Sequence, residues 1–552
     1  MTAPNIMYNC TNMTVREAIK DQGEVALKEI VRELISIHIE RKAFQPLLQE
    51  ELTENQRNKA ITSKMFIKNK YHPDGEFDKI KARLVAGGHL QSRSVYTRGG
   101  SPTASTSSVL TVMALAAMEG RAVGTIDFPS AFLNCPMPDD SEEVIMKLDY
   151  FMTMVLSEID PEYSKYIAAD GTSTVRLKKA LYGCVESARI WNDKLNLALT
   201  KLGYTRNLYD KCVYNKANED KSQSTIVVHV DDCLISDKNE DYVDKVMDEI
   251  EMEFGEVTKK RGKILNYVGM TFSFEEEKKV KVTMKGYIED VLKFVEDREN
   301  FKGIAPDPAR ADLFEIDSEN CEELLKEEKE FFHTLTAKLL YLGKRVRPDI
   351  LVATAFLSKR VQSPTVYDMG KLIRVIQYIR GTMHLGIKLE VGSDLAVISY
   401  IDASYGVHQD YKSHTGFTVS IGKGPICSKS STQKLNTKSS TEAELVAISD
   451  SIGHVIWLRN FLIDQGYNNI EPAMLGQDNM STIQLVKNGQ PNSDATRHIA
   501  VRFFFVTDKV KNGEVYIKWI GTNEMISDVL TKPIQGSKFK ELRGLLLNWH
   551  DE

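Results

Sequence analysis

Two adjacent carboxylates, Asp231 and Asp232, lie between the short apolar runs Ile226–Val228 and Leu234–Ile235. The runs read as strands and the carboxylates as the tip of their hairpin. Side chains alternate across a strand, so a tight turn is what lets one or both aspartates reach a common point. Carboxylates beside apolar residues are costly to desolvate, and a divalent cation is the usual offset. A surface Asp-Asp turn gives the same dipeptide, so a metal site needs a third carboxylate. Asp127 is the candidate, since it ends the apolar run Val123–Ile126; an N-cap would leave the same local pattern. Carboxylates at the tips of separate strands can assemble a two-metal site of the kind used for in-line phosphoryl transfer.

A second acidic set lies further on. Asp402 follows the strand-like Leu395–Ile401, and Glu442 and Glu444 open the amphipathic segment Ser440–Leu462. Asp478 follows Ala473–Gln477, and Asp528 stands where a helix is expected to begin near Ser527, after the strand Val515–Trp519. Thr415–Ile421 and Pro425–Lys429 read as the strands between them. Four acids at strand ends and helix starts suggest a second pair of divalent ions, although each alone is explained by capping or solvation. Upstream, Met65–Lys70, a turn at Pro73–Gly75 and Phe77–Val85 read as a hairpin. Lys81 and Arg83, two apart on its return arm, share a face that suits a triphosphate; exposed cations are also common on edge strands.

The elements that must position these residues belong to a large soluble chain. The length of 552 residues implies several domains, and 42% hydrophobic with 27% charged residues is ordinary for globular protein. Seven scattered cysteines, none in a CxxC pair, argue for a reducing compartment and against a zinc module or disulfide framework. The N-terminus is too polar for a signal peptide, and the apolar run Val109–Met118 is too short to span a bilayer. The net charge of −6 weighs only lightly against nucleic-acid binding, because net charge says nothing of a local groove. Met13–Glu51 shows helical spacing at Ala26, Ile30, Leu34 and Ile37 and reads as a helical leader outside any catalytic centre. Ser101–Gly120 is a loop entering an apolar helix, and Pro129 suits the first turn of a helix or turn after Asp127. Val175–Leu199 opens basic and strand-like and becomes a helix from about Ser187, packing through Ile190, Trp191, Leu195 and Leu199.

The order of these elements resembles the reverse transcriptase of copia-type (Pseudoviridae) retrotransposons. The resemblance rests on KARLVAGG at Lys81–Gly88, SPTAS at Ser101–Ser105, TIDFPSAFLNCPM at Thr125–Met137, LKKALYG at Leu177–Gly183 with Trp191 downstream, and VVHVDDCLI at Val227–Ile235. NYVGM at Asn266–Met270 resembles the family's primer-grip turn, and LLYLGKRVRPDI with YIRGTMHLGIKL its connection region. SYIDASYG, SSTEAELVAISDSIGHVIWLR, GQDNMSTIQL, ATRHIAVRFFFV and ISDVLTKP resemble the ribonuclease H domain that follows.

The resemblance implies an α+β and α/β multidomain chain: a helical leader (1–60), polymerase fingers and palm (61–275), thumb (276–320), connection region (321–392) and ribonuclease H-like domain (393–545). It implies Asp127, Asp231 and Asp232 as polymerase metal ligands, Phe132 as the gate against a ribose 2′-hydroxyl, and Lys81 and Arg83 facing the dNTP. It further implies Asp402, Glu444, Asp478 and Asp528 as ribonuclease carboxylates, with His498 helping product release or orienting substrate; a packed structural histidine is the alternative. Glu444 is preferred to Glu442 because it precedes Leu445-Val446-Ala447, the acidic-Leu-x-Ala register of those enzymes. The implied cofactor is Mg²⁺ or Mn²⁺, two ions per site. The implied partners are RNA template, DNA primer, RNA–DNA hybrid and dNTPs, with no membrane and with homodimerisation open. The implied location is cytoplasmic, in virus-like particles, with nuclear entry. The chain departs from the pattern at His229, where Tyr is usual, at Glu186 for Gln, at Ala188 for Pro, and at Phe504 for a second His. His229, Glu186 and Ala188 motivate a rival reading, a decayed or co-opted element product that binds nucleic acid or protein without catalysis. A DNA-templated polymerase is a third.

Overall fold

Period-two apolar spacing in Ile61–Tyr71 and Phe77–Ala86 makes a long antiparallel pair whose buried face holds Met65, Ile67, Ile80, Ala82 and Leu84. The structure, a computed structural model, describes residues 13–71, 77–91, 101–138, 141–219, 222–316, 322–392, 394–489 and 500–550. The Pro73–Gly75 turn and His498 lie outside the described residues. The helix Glu24–Ile35 packs into the same core as this pair through Ala26, Ile30 and Leu34, which recur at one-turn spacing. Met13 bridges to Ile67, and Phe44–Leu47 forms the outer strand on the other side of the sheet, paired with Ser173–Leu177. Residues 13–60, read from the sequence as a helical leader, supply the outer strand Phe44–Leu47 and pack their apolar helical stripe against the first sheet.

The second sheet carries the first acidic set. Its order is Thr258–Arg261, Ala122–Asp127, Asp232–Asp237, Gln223–His229, Val213–Ala217, Thr205–Arg206. Alternation assigns its two faces. Val227 and Leu234 join the core that includes the helix Thr106–Glu119, whereas Ile226, Val228, Cys233 and Ile235 pack with Trp191, Leu195 and Leu199 of Ser187–Lys201 and with Val243, Val246 and Ile250 of Glu240–Phe254. Buried on all sides, Thr106–Glu119 shows no polar face. After Asp127 the chain makes a turn with Ser130 at φ 57° and then the short 3-10 turn Ala131–Asn134, not an α-helix starting at Pro129.

A four-stranded sheet follows, Ile264–Tyr267, Met270–Ser273, Lys279–Thr283 and Ile387–Glu390. Its first hairpin closes through Val268 (φ 51°) and Gly269 (φ 75°), the left-handed pair that a two-residue type I′ turn needs. The fourth sheet is ordered Cys427–Thr432, His414–Ser420, Ile398–Ser404, Ala473–Gln477, Val515–Trp519, and its last two pairings are parallel. The helix Ser440–Asp464 covers it. The helix expected near Ser527 is a short 3-10 turn, Ile526–Leu530; the α-helix starts at Gly536 and ends at Leu547. Pro533, which cannot continue a helical hydrogen-bond ladder, stands between them.

One apolar cluster runs from Thr106–Glu119 through the third sheet into the fourth. Polar links fasten the second sheet's edge to the covering helix and the loop after it: Arg121 Nη2 donates to Tyr467 Oη (3.2 Å), Tyr467 to Glu119 (2.6 Å), and Trp457 Nε1 to the Tyr209 carbonyl (3.1 Å). Among the described residues, no helix is long and apolar enough to cross a membrane.

Candidate active sites

Asp231 and Asp232 play unequal parts. His229 and Asp232 face each other across the hairpin, so Val230 and Asp231 are its two loop residues and Asp232 is the first residue of the return strand. Asp232 is also paired with Asp127 on the neighbouring strand. Val230 has φ 58°, a region a β-branched residue enters only under strain of about 1–3 kcal/mol. Three donors hold the loop in place. The Trp191 indole donates to the Val230 carbonyl (2.6 Å), the Phe128 N–H to the Asp231 carbonyl (3.0 Å), and the buried Tyr267 hydroxyl to the Val227 carbonyl (2.9 Å). Trp191→Phe removes the hydrogen bond to that half-buried carbonyl, a net loss of about 1 kcal/mol. The expected result is a lower Tm, and an unaltered Tm would show that the loop does not depend on the indole.

Burial, then the charges of Asp231 and Asp127, push the Asp232 carboxyl up to about 6, and it shares a hydrogen bond with Asp127. Lys260, on the flanking strand, works in the opposite direction. The three oxygens do not all converge within 4.8 Å, so Asp231 stands farther from at least one of the other two. Crowded, partly desolvated carboxylates are a donor set whose charge a divalent cation would neutralise. His229 is half-buried with Nδ1 unpaired, and burial lowers its pKa, favouring the neutral imidazole.

Beside the acids stands a stack whose middle layer the motif spacing does not reveal. The Arg83 guanidinium lies 4.5 Å over the Tyr182 ring, and Tyr182 meets Phe132 edge-on at 4.9 Å. Phe132 lies in the turn that follows Asp127, which brings the stack to that strand's end; burial raises the Tyr182 hydroxyl pKa, Arg83 opposes it, and Asp231 and Asp127 add to the rise. Two glycines permit this approach. A Cβ on Gly183 (φ 90°) would lie 2.1 Å from the Ala86 carbonyl, and one on Gly88 would lie 2.0 Å from that of Gly183. The Ala86 N–H donates to the Tyr182 carbonyl at 2.7 Å. Lys81 lies on the same strand as Arg83, two residues before it.

Glu186 does not present its charge to solvent. It is 1% exposed, Oε1 has no partner, and Arg189 is 3.9 Å away. Burial raises its pKa above the ordinary carboxylate range. Between the unfolded and folded values the native state keeps a proton that the unfolded chain releases, so stability falls as pH rises through that window. Glu186→Gln should therefore raise Tm at pH 7.5, by about 1–3 kcal/mol of stability, with the gain vanishing as pH approaches 4.5. A gain that is independent of pH would contradict this account.

In the fourth sheet, one oxygen from each of Asp402, Glu444 and Asp478 lies within 4.8 Å of the others. That is close to the span of about 4.2 Å between oxygens on opposite sides of a magnesium ion. Asp402 and Glu444 are buried; Gln477 Nε2 donates to Glu444 at 3.1 Å, and the Thr531 hydroxyl donates to Asp402. Burial and the charge of Asp402 raise the Glu444 and Asp478 carboxyls. Asp528 stands outside the trio, tied to Lys532 Nζ (2.6 Å), which also reaches Asp402 (3.3 Å). Glu442 accepts from the Lys438 N–H (2.7 Å) before its helix and is not in the trio. Phe504 is 54% exposed on Ala500–Lys511. Tyr182, Tyr267, Gln477 and Lys532 were not singled out by sequence reasoning; the signal for Lys532 is its place four residues after Asp528.

Residues 51–307 match the family described as reverse transcriptase (RNA-dependent DNA polymerase). The chain is 27% identical over 480 residues to the retrovirus-related Pol polyprotein from transposon RE1 of Arabidopsis thaliana, covering 85% of this chain and 30% of that protein. To the Pol polyprotein from transposon TNT 1-94 of Nicotiana tabacum it is 28% identical over 543 residues, 94% of this chain and 39% of that one. To the transposon TyH3 Gag-Pol polyprotein of Saccharomyces cerevisiae it is 27% identical over 504 residues, 88% and 27%. The chain thus spans 30% and 39% of the first two relatives' length. A crystal structure of the prototype foamy virus protease-reverse transcriptase aligns over 92% of this chain and 54% of that one, at 10% identity and a TM-score of 0.29.

Proposed function

From the premise that the chain carries a copia-type retrotransposon reverse transcriptase region, we propose that it is an RNA-directed DNA polymerase joined to a ribonuclease acting on RNA–DNA hybrids. The observation that carries the polymerase reading is the pairing of Asp127 with Asp232 on adjacent strands, beside the Arg83–Tyr182–Phe132 stack and within the matched residues. The convergence of Asp402, Glu444 and Asp478 supports the ribonuclease reading. Under this reading the first two sheets are fingers and palm, the region after them thumb and connection, and the fourth sheet a ribonuclease H-like domain.

Asp127, Asp231 and Asp232 would hold divalent ions in one centre, and Asp402, Glu444, Asp478 and Asp528 in the other. Such ions, Mg²⁺ or Mn²⁺, offset phosphate charge and make a hydroxyl or water a better nucleophile. Lys81 and Arg83 meet the triphosphate, Arg83 with a planar fork held against Tyr182. Phe132 closes the sugar side of the same stack, where a 2′-hydroxyl would have to fit. In the second centre Lys532 holds Asp402 and Asp528 in place between turnovers. RNA template, DNA primer, hybrid and dNTPs are the proposed substrates, and virus-like particles in the cytoplasm the proposed setting.

Template choice and hybrid cleavage test the reading. With Mg²⁺ or Mn²⁺, the chain should cut the RNA of an RNA–DNA hybrid and accept RNA as template. A strong preference for DNA templates would replace it with a DNA-templated polymerase. Neither extension nor cleavage would leave the non-catalytic reading that His229, Glu186 and Ala188 motivate.

A further inference from the structure

Glu33 is a half-buried carboxylate that the proposed chemistry does not use. It lies on Glu24–Ile35, the helix packed with strand Phe77–Ala86. That strand is the outermost of its sheet. The Leu84 N–H donates to Glu33 Oε1 at 3.2 Å, so the carboxylate completes the strand at the residue next to Arg83. Lys81, Arg83 and Arg41 are the cations that act on it, against the upward push of burial. Arg41, also from the segment before residue 51, donates to Asn134 Oδ1 at 2.7 Å, the last residue of the turn that carries Phe132. The segment preceding the matched region therefore grips both sides of the Arg83–Tyr182–Phe132 stack.

We propose that Glu33 is a positioning residue for nucleotide binding: by accepting the Leu84 N–H beside Arg83, it fixes the strand that presents Lys81 and Arg83 to the triphosphate. This rests on the reading of Lys81 and Arg83 as the cations that meet the dNTP. Losing a hydrogen bond to a charged group on an edge strand lets the strand shift, and misplaced cations weaken substrate binding more than they slow a bound complex.

The test is a steady-state dNTP titration of the full 552-residue chain on an RNA template. Glu33→Ala should raise the dNTP KM by roughly tenfold with kcat changed by less than about twofold. Glu33→Gln, which keeps an acceptor for Leu84, should recover KM to within about threefold. If Glu33→Ala does not fold, Glu33→Asp, one methylene short of Leu84, is read in its place. In a mutant cycle, Glu33→Ala should add little to the combined Lys81→Ala/Arg83→Ala variant, since it acts through those two cations. An unchanged KM in folded Glu33→Ala, or fully additive losses, would overturn the proposal while leaving the polymerase reading intact. A dNTP KM unmoved by both Lys81→Ala and Arg83→Ala would instead overturn the assignment of the cations, and the proposal with it.

Discussion

Asp232→Asn should lower primer extension by roughly a thousandfold and at the same time make the protein more stable in the presence of a chelator. The substitution is nearly isosteric and keeps the strand register with Asp127 and His229, so the fold has no reason to change. What goes is an anionic donor in a centre that needs several. The gain in stability follows from the raised carboxyl: Asp232 sits at about 6 because burial and its two acidic neighbours disfavour its charge. A folded pKa above the unfolded one means stability is lost as pH rises through that range. Removing the charge should lift Tm at pH 7.5, by on the order of 2–4 °C for each kcal/mol relieved, and hybrid cleavage should be unaffected. Loss of both activities together would show that the two acidic sets are not separate centres.

Glu444→Gln makes the reciprocal case. It should abolish hybrid cleavage, by roughly a thousandfold, and leave extension within about twofold. Glu444 is the buried member of its trio that Gln477 holds by a single donor, and a glutamine carbonyl can still accept that bond. Glu442→Gln is the control for register. Its carboxylate serves the Lys438 N–H before the helix, so cleavage should hold within about twofold. If Glu442→Gln were the variant that lost cleavage, the acidic-Leu-x-Ala alignment and the trio would both be misassigned.

Much of the framework was legible because period-two burial leaves a mark in the sequence. Val227 and Leu234 face one core while Ile226, Val228, Cys233 and Ile235 face the other, and the apolar runs around Asp231 and Asp232 already imply strands. Ala473–Gln477 and Val515–Trp519 fall where the sequence reading puts strands. The inequality of the two aspartates was not legible, since nothing in His-Val-Asp-Asp says that a valine takes the positive φ and leaves Asp232 inside the strand. Nor was Tyr182 between Arg83 and Phe132, because three distant segments meet there only through the close approach of Gly88 and Gly183. Glu186 stands in the sequence only as a departure from the family's Gln, and only packing shows it buried. What covers the helix before residue 40 was hidden for a related reason: its stripe is plain, but the sheet that covers it comes later in the chain.

RNA-templated primer extension by the unaltered chain tests the central claim most directly. A DNA primer annealed to an RNA template, with dNTPs and Mg²⁺, should be lengthened to the template's end, and chelation should stop it. No lengthening with either Mg²⁺ or Mn²⁺, by protein that melts cooperatively, would contradict the account.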